Sequence, residues 1–563
     1  MRQNEQVLTG ADRERKWSTV DLSLFTDQPV PWLLCGMAAL GFVGLQFWFG
    51  ARLETAATDP VVIVSGPTLV DERGRVTGAE PPSLSDVLAG VEAQTSIGSA
   101  AGAVEPSLGE SEPLSVDPQS SGLAWASLGS IDGLLTFRGN PTRTYHGRGP
   151  LPSDPEILWQ ETIGCSNSPV GGEPKTWCGS GWTGQPAVFP APGTEPADDA
   201  WWVAVGGYNR SVNFYDPEDG GEVFSRYETA DIIKGTVTVD PDGFPLLYTG
   251  SRDNFFHVVA IDGDRPRQLW RLSAASDDPT LWNNDWDSSA LVVDDHLFVG
   301  GENSRFYVVR LHRGFEADGS VTVAPEVVFS AAGWDRELLD ALGDTEVSIE
   351  NSVAMSGTVV YFTNSGGLVQ GWDVAGLDTG GTAERVFRYW TGDDTDASLV
   401  IDDEGMLYVA SEFERGNARS RDLGQVIKLD PSQPDDPVVW SQEAAAGLGG
   451  GVWATPAIHE DLLIVSTDDG RVLGLDRATG RQRWVLDLPG PLWSSPVVVD
   501  DTLVQGDCAG GLHAFDLDGP GRPRLRWTVD LGGCIESTPA VWDGRIYVGS
   551  RTGEFFAIGD PDS

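Results

Sequence analysis

Basic residues are scarce. The 563-residue chain carries 37 Lys+Arg against 84 Asp+Glu, a formal net charge of −47. A surface this acidic repels polyanions, which excludes nucleic acid as a partner. There are six His and five Cys, and none of them stands at zinc-ligand spacing. His257, His296, His312, His459 and His513 are scattered along the chain, so no His-based triad is visible. No two cysteines are adjacent, and GxSxG, HExxH and P-loop motifs are missing. Gly (69) and Pro (36) are too few for a low-complexity chain, and 21 Trp can furnish a large core.

Residues 30–51 form an apolar run whose one strongly polar side chain is Gln46. As a helix it would cover about 33 Å, enough to cross a bilayer core. Arg2, Arg13, Arg15 and Lys16 precede it and Arg52 alone follows closely. This predicts a cytoplasmic tail (1–29), a single transmembrane helix (30–53) in the cell membrane and an extracytoplasmic remainder. A signal peptide cleaved after Thr55-Ala56-Ala57 is the rival, but the run exceeds the usual h-region. Cys35 lies inside the run after the bulky Leu34, which reads as a lipid-facing thiol rather than a lipoprotein cysteine. Residues 54–124 contain no aromatic residue, eleven acidic and two basic ones. They cannot bury enough apolar area to offset their ordering entropy, so a disordered acidic stalk is expected.

From Trp159 onward one pattern recurs: a Ser/Thr-Pro-apolar strand, a turn, and three further short strands, the last carrying Trp. The clearest copies are 454–484, 494–527 and 537–560. Four alternating strands every 40–60 residues predict propeller blades, because one blade cannot bury both of its faces. Aligned on the first-strand Pro, the residues three before it are Thr183, Lys234, Asp287, Glu350, Asp396, Trp453, Trp493 and Glu536. That counts eight blades. The eighth lacks its Trp strand, which the N-terminal segment 157–164 can supply, removing the open edge. The expected fold is therefore all-β, an eight-bladed propeller over 157–563. A lead-in at 125–156 would lie across one face.

GLDRATGRQRW, residues 474–484, resembles the tryptophan-docking repeat of quinoprotein alcohol dehydrogenases, Ala-x-Asp-x-x-Thr-Gly-x-x-x-Trp, with only Gly474 departing. Fragments recur as Asp516 with Trp527, Asp430 with Trp440, and Asp262 with Trp270. The chain thus resembles the PQQ-binding-like β-propeller proteins over residues 159–560. The resemblance implies that the repeat Trp packs between neighbouring blades. The family includes dehydrogenases, scaffold lipoproteins of outer-membrane assembly and anchored proteins. Its dehydrogenases hold PQQ between a Trp and a disulfide of adjacent cysteines, beside Ca²⁺ and a catalytic Asp. The missing Cys-Cys pair speaks against PQQ here.

Cys165, Cys178, Cys508 and Cys534 remain outside the membrane run, an even number that reads as disulfides. Cys165 and Cys178 flank one loop. Cys508 and Cys534 fall in turns on the face where first strands begin. The pairs 165–178 and 508–534 are expected, among three pairings and the alternative of free thiols. On that same face the aligned residues form a candidate ring at the channel mouth. Asp287, Glu350 and Asp396 lie on successive blades, Glu536 opposite, Lys234 beside them, and Trp453 with Trp493 on the other arc. Crowded carboxylates raise one another's pKa unless a cation joins them. That cation is Lys234 or a Ca²⁺ held by Asp287, Glu350 and Asp396. The two Trp offer a stacking platform. Solvated funnel residues without a ligand are the competing reading. Glu302-Asn303, the 412–415 stretch, Asp253-Asn254 and LWNNDWD (281–287) edge the same mouth as turn residues. DPDG at Asp240 and DDEG at Asp402 read as hairpin turns. The function expected is a non-catalytic binding or scaffold propeller of the cell envelope, engaging a protein or envelope glycan. A PQQ- and calcium-dependent dehydrogenase is the alternative. A ligand-sensing ectodomain is a third reading, for which so short a tail leaves no signalling domain.

Overall fold

A computed structural model describes residues 129–563 except 170–173, 183, 194–199, 277–278, 520 and 562–563, together with two dipeptide strands, Val62–Ile63 and Leu69–Val70. The expected tail, transmembrane helix, cleavage site and acidic stalk lie outside the described residues, as does Thr183. Among the described residues no helix is long and apolar enough to cross a membrane.

Eight antiparallel sheets follow one another along the chain, and the fold is an all-β, eight-bladed propeller. The innermost strands are Ala187–Pro190, Thr238–Val239, Leu291–Val293, Ala354–Ser356, Val400–Ile401, Ala457–His459, Val497–Val499 and Ala540–Trp542. Two-residue hairpins join inner to second strands where the sequence reads Asp-Asp. Asp294 and Asp295 take φ 49° and 63°, and Asp500 and Asp501 take 47° and 58°, the left-handed pair that a tight hairpin requires.

The core lies between the blades. Eight apolar clusters each join one adjacent pair, closing the ring from blade 8 to blade 1. In blade 6, Leu463 and Val465 pack towards blade 5 while Ile464 packs towards blade 7. A middle strand is therefore apolar on both faces, whereas the outermost strand Gln482–Asp487 alternates. The repeat Trp bridges blades as the resemblance implies. Trp440 of blade 5 donates to the Arg477 carbonyl of blade 6 at 3.0 Å and lies over Gly480, where a Cβ would come within 2.7 Å of the indole.

The eighth blade takes its outer strand from Glu156–Thr162, paired antiparallel with Glu554–Gly559. Trp159 repeats the docking contact there, donating to the Pro217 carbonyl at 3.1 Å and covering Gly220 of blade 1. The lead-in does more than lie across a face. It turns into the axis and touches the inner strand, or its approach, in every blade. Leu134 pairs with Val188, Leu135 accepts from Val239, and Thr136 donates to the Ala290 carbonyl. Pro141 and Thr142 accept from Met355 and Ile401. Arg138 donates to the Thr455 carbonyl at 2.7 Å, His146 sits on Val498, and Gly147 runs parallel to Val541. Arg138 and Arg143 are wholly buried in this plug. It seals the channel at the end where inner strands finish.

Candidate functional site: the channel mouth

At the opposite end the depth of each blade is fixed by a ring of hydroxyls. The backbone N–H two residues after one aligned position donates to the hydroxyl at the same place in the next blade. The links run from Gln185 to Thr236, Ser289, Ser352, Ser398, Thr455 and Ser495, at 2.8–3.0 Å. The aligned residues stand one layer further out. Lys234, Asp287, Glu350, Asp396, Trp453, Trp493 and Glu536 therefore share one level, and electrostatic coupling of Lys234 to Asp287, Glu350, Asp396 and Glu536 spans it.

A second ring surrounds the first. In seven blades the residue leaving the second strand donates its N–H to the carbonyl two residues before the aligned position, at 2.8–3.0 Å. These residues are Arg252, Glu302, Ser365, Glu412, Asp468, Cys508 and Arg551. Sequence reasoning left Glu302 and Glu412 as turn residues and did not single out Arg252, Asp468 or Arg551. Aligning on the exit of the second strand, instead of the first-strand Pro alone, would have found them.

The outer ring partners the inner one. Lys234 forms an ion pair with buried Asp287, and Arg252 lies 3.5 Å from Asp285, Asp287 and Glu302. Burial opposes ionisation of Asp287, but Lys234 and Arg252 outweigh it and hold the carboxyl down at about 2. Burial pushes Asp285 up to about 7, and burial with Asp287 and Glu350 pushes Glu302 well above the carboxylate range. Arg551 pairs with Glu536 at 3.1 Å, and Tyr208 reaches the same carboxylate at 3.5 Å. Trp453 and Trp493 stack on each other, centroids 5.2 Å apart and 15° from parallel, with the Trp493 N–H on Asp468. The disulfides are Cys165–Cys178 and Cys508–Cys534, the latter in the wall of the mouth.

The carboxylates fall into two triads rather than the single set Asp287, Glu350 and Asp396. Asp287, Glu302 and Glu350 bring ligand atoms within 4.8 Å of one another, and so do Asp394, Asp396 and Glu412. Blades 3 and 5 are built alike, with Asp-x-Asp before the inner strand and Glu on the outer ring. Their neighbours differ. Blade 2 offers Lys234 and Arg252 to the first triad; blade 4 offers Glu350 and Ser365 at the equivalent places to the second. Burial and then Asp396 push Asp394 far up, burial and then Glu350 push Asp396 far up, and burial and then Asp396 push Glu412 up to about 10. Oδ1 of Asp394 and of Asp396 are buried without a hydrogen-bond donor. Asp240 and Asp402 serve their turns, accepting from Tyr248 at 2.6 Å and Tyr408 at 2.9 Å.

Fold and mouth together define the class: an all-β, eight-bladed propeller. The family model described as outer membrane protein assembly factor BamB matches residues 422–522. Among solved structures, quinohemoprotein alcohol dehydrogenase ADHIIG from Pseudomonas putida superposes with a TM-score of 0.53 at 10% identity, over 77% of this chain and 80% of that one. Quinohemoprotein alcohol dehydrogenase from Comamonas testosteroni gives 0.51 at 12% identity, over 76% and 80%. BamB from Moraxella catarrhalis is 19% identical over 66% of this chain and 95% of that one, at a TM-score of 0.45. At these identities the dehydrogenases speak for the fold alone. No curated protein matches the chain.

The residues at the mouth do not fit PQQ. Its three carboxylates need cations, and Lys234, Arg252 and Arg551 are already engaged by Asp287, Glu302 and Glu536. The wall disulfide joins residues 26 apart, not neighbours that could present one flat face.

Proposed function

We propose that the chain is a non-catalytic binding or scaffold propeller of the cell envelope, anchored in the membrane through residues 30–53 and engaging an envelope protein or glycan at the acidic mouth. The observation that carries this reading is the asymmetry of the channel. One end is plugged by the chain itself; the other gathers two registers of large charged and aromatic residues. Two disulfides support an extracytoplasmic address, and the matched family description is in keeping with a scaffold. Calcium is the cation proposed at the mouth, held by Asp394, Asp396 and Glu412 with Glu350 nearby, because hard cations take oxygen ligands and, among the described residues, Lys234 and Arg415 reach that triad only at a distance, without an ion pair.

The test compares the immobilised full chain with its Glu350→Gln/Trp453→Ala variant as bait for envelope extract. One partner retained by the first and lost by the second supports the reading; identical profiles contradict it. Alcohol-dependent dye reduction after addition of PQQ and Ca²⁺ would overturn it in favour of a dehydrogenase.

A further inference from the structure

A second cavity opens on the rim of the mouth, between the turns of blades 1, 2 and 3. Its volume is about 910 Å³, at the upper end of the ~300–1,000 Å³ typical of small-molecule sites. Arg210, Arg252 and Arg271 stand there against Asp231, Asp253 and Asp285. Three basic and three acidic side chains leave the cleft without the strong negative excess of a chain of −47. Its charges therefore select neither an anion nor a cation. The apolar lining is confined to Pro169, Ala230 and Phe255, and the Arg271 guanidinium lies 3.8 Å above the Phe255 ring. No apolar pocket is left to seat the aromatic or aliphatic anchor on which a peptide relies.

The polar groups are held in place beforehand. Arg210 donates to the Asn167 carbonyl at 2.6 Å, in the hairpin that Cys165–Cys178 ties. Asp253 accepts from the Ala230 and Phe255 N–H groups and faces the His257 ring at 3.1 Å. The LWNNDWD stretch supplies the third wall. Asn283 caps the Asp285 N–H at 2.7 Å. Asn284 uses only its amide oxygen, accepting from Thr280 at 3.2 Å, and its N–H groups have no partner among the described residues. Arg271 is exposed and makes no ion pair among them.

We propose that this cleft is a subsite for an uncharged polysaccharide strand. Carboxylates, amides and guanidinium forks together match the paired donor and acceptor character of sugar hydroxyls. Arg252 and Asp285 border both cleft and mouth, so a strand seated here runs on towards the carboxylates. The proposal rests on the reading of the chain as an envelope-binding propeller and narrows its ligand to a neutral glycan.

Titration calorimetry of the full chain tests it with cellotetraose, maltotetraose, N-acetylchitotetraose and the anionic tetragalacturonic acid. At least one neutral tetrasaccharide should bind, and Asn284→Ala and Arg271→Ala should each weaken it about tenfold or more, while Glu384→Gln, on the exposed outer strand of blade 4, leaves it unchanged. Both substitutions are on partly or largely exposed side chains, and an unaltered melting curve checks that each variant is folded. Binding of none of the neutral sugars, or tightest binding of the anionic one, overturns the proposal. Sugar binding lost in Glu350→Gln/Trp453→Ala but kept in the cleft variants also overturns it, while leaving the mouth reading intact.

Discussion

The Arg143 side chain donates from Nε to the carbonyl oxygen of Val353 at 2.7 Å, across 210 residues of sequence. The same guanidinium holds the Phe137 carbonyl at 2.7 Å. The lead-in is thereby fastened to inner strands that form long after it in the chain.

Truncating that side chain should loosen the plug. Arg143→Ala leaves two buried carbonyls without donors, at about 1–3 kcal/mol each. We expect a lower denaturation midpoint and new protease cleavage within 129–155, with Arg143→Lys recovering only part of the loss because one ammonium cannot span both carbonyls. An unchanged midpoint would contradict this account of the plug.

Stability should fall as pH rises through neutrality. Asp285 and Glu412 are pushed up to about 7 and about 10, above ordinary values of 3.8 and 4.5. Between those limits the folded chain keeps protons that the unfolded chain has released, so each increment of pH favours unfolding. Asp287, held down at about 2, acts oppositely and loses its contribution only as pH falls below 4. Thermal melts should peak on the acid side of neutral and decline towards pH 9, and Glu412→Gln should flatten the decline. A melting temperature that climbs from pH 6 to 9 is the contrary outcome.

Ring closure depends on Trp159. Trp159→Ala removes the indole that covers Gly220 and the bond to Pro217, at about 3–5 kcal/mol for a buried aromatic. The seam between blades 8 and 1 should then open first. Hydrogen exchange should quicken in 156–162 and 554–559 before it does in blades 3 to 6; uniform loss of protection would refute a seam.

Calcium should act through blade 5. Millimolar Ca²⁺ is expected to raise the melting temperature of the full chain, and Asp394→Asn/Glu412→Gln to abolish the rise. The paired carboxamides keep the shape of the site without its charge. Replacing the blade 3 carboxyl by Glu302→Gln should leave the calcium response in place, because Lys234 and Arg252 already serve that triad. Equal melting in Ca²⁺ and in chelator removes the cation from the proposal.

The sequence by itself determined the blades. Period-two alternation, turn residues and the docking Trp are local properties of each repeat, and aligning first strands counted eight of them. It also placed seven residues at one level, because equal steps in a repeat become equal positions around an axis. The Cys508–Cys534 disulfide was legible for the same reason, since the two sit at matching ends of neighbouring blades, and Cys165–Cys178 was legible because the pair flanks one loop.

Tertiary structure decided what the repeat cannot encode. The lead-in carries no repeat signal, and nothing local in Arg138 or Arg143 says that they will be buried; only the empty axis of a closed ring makes them so. The division of the carboxylates into one triad ion-paired with Lys234 and Arg252 and one that, among the described residues, has no ion pair depends on which blade is next door. Glu302 and Glu412 look alike in sequence, as acidic residues in turns. Burial pushes both upward, and their surroundings differ in blade 2 offering Lys234 and Arg252 where blade 4 offers Glu350 and Ser365, because the partners of a buried acid are set by neighbours in space rather than in sequence.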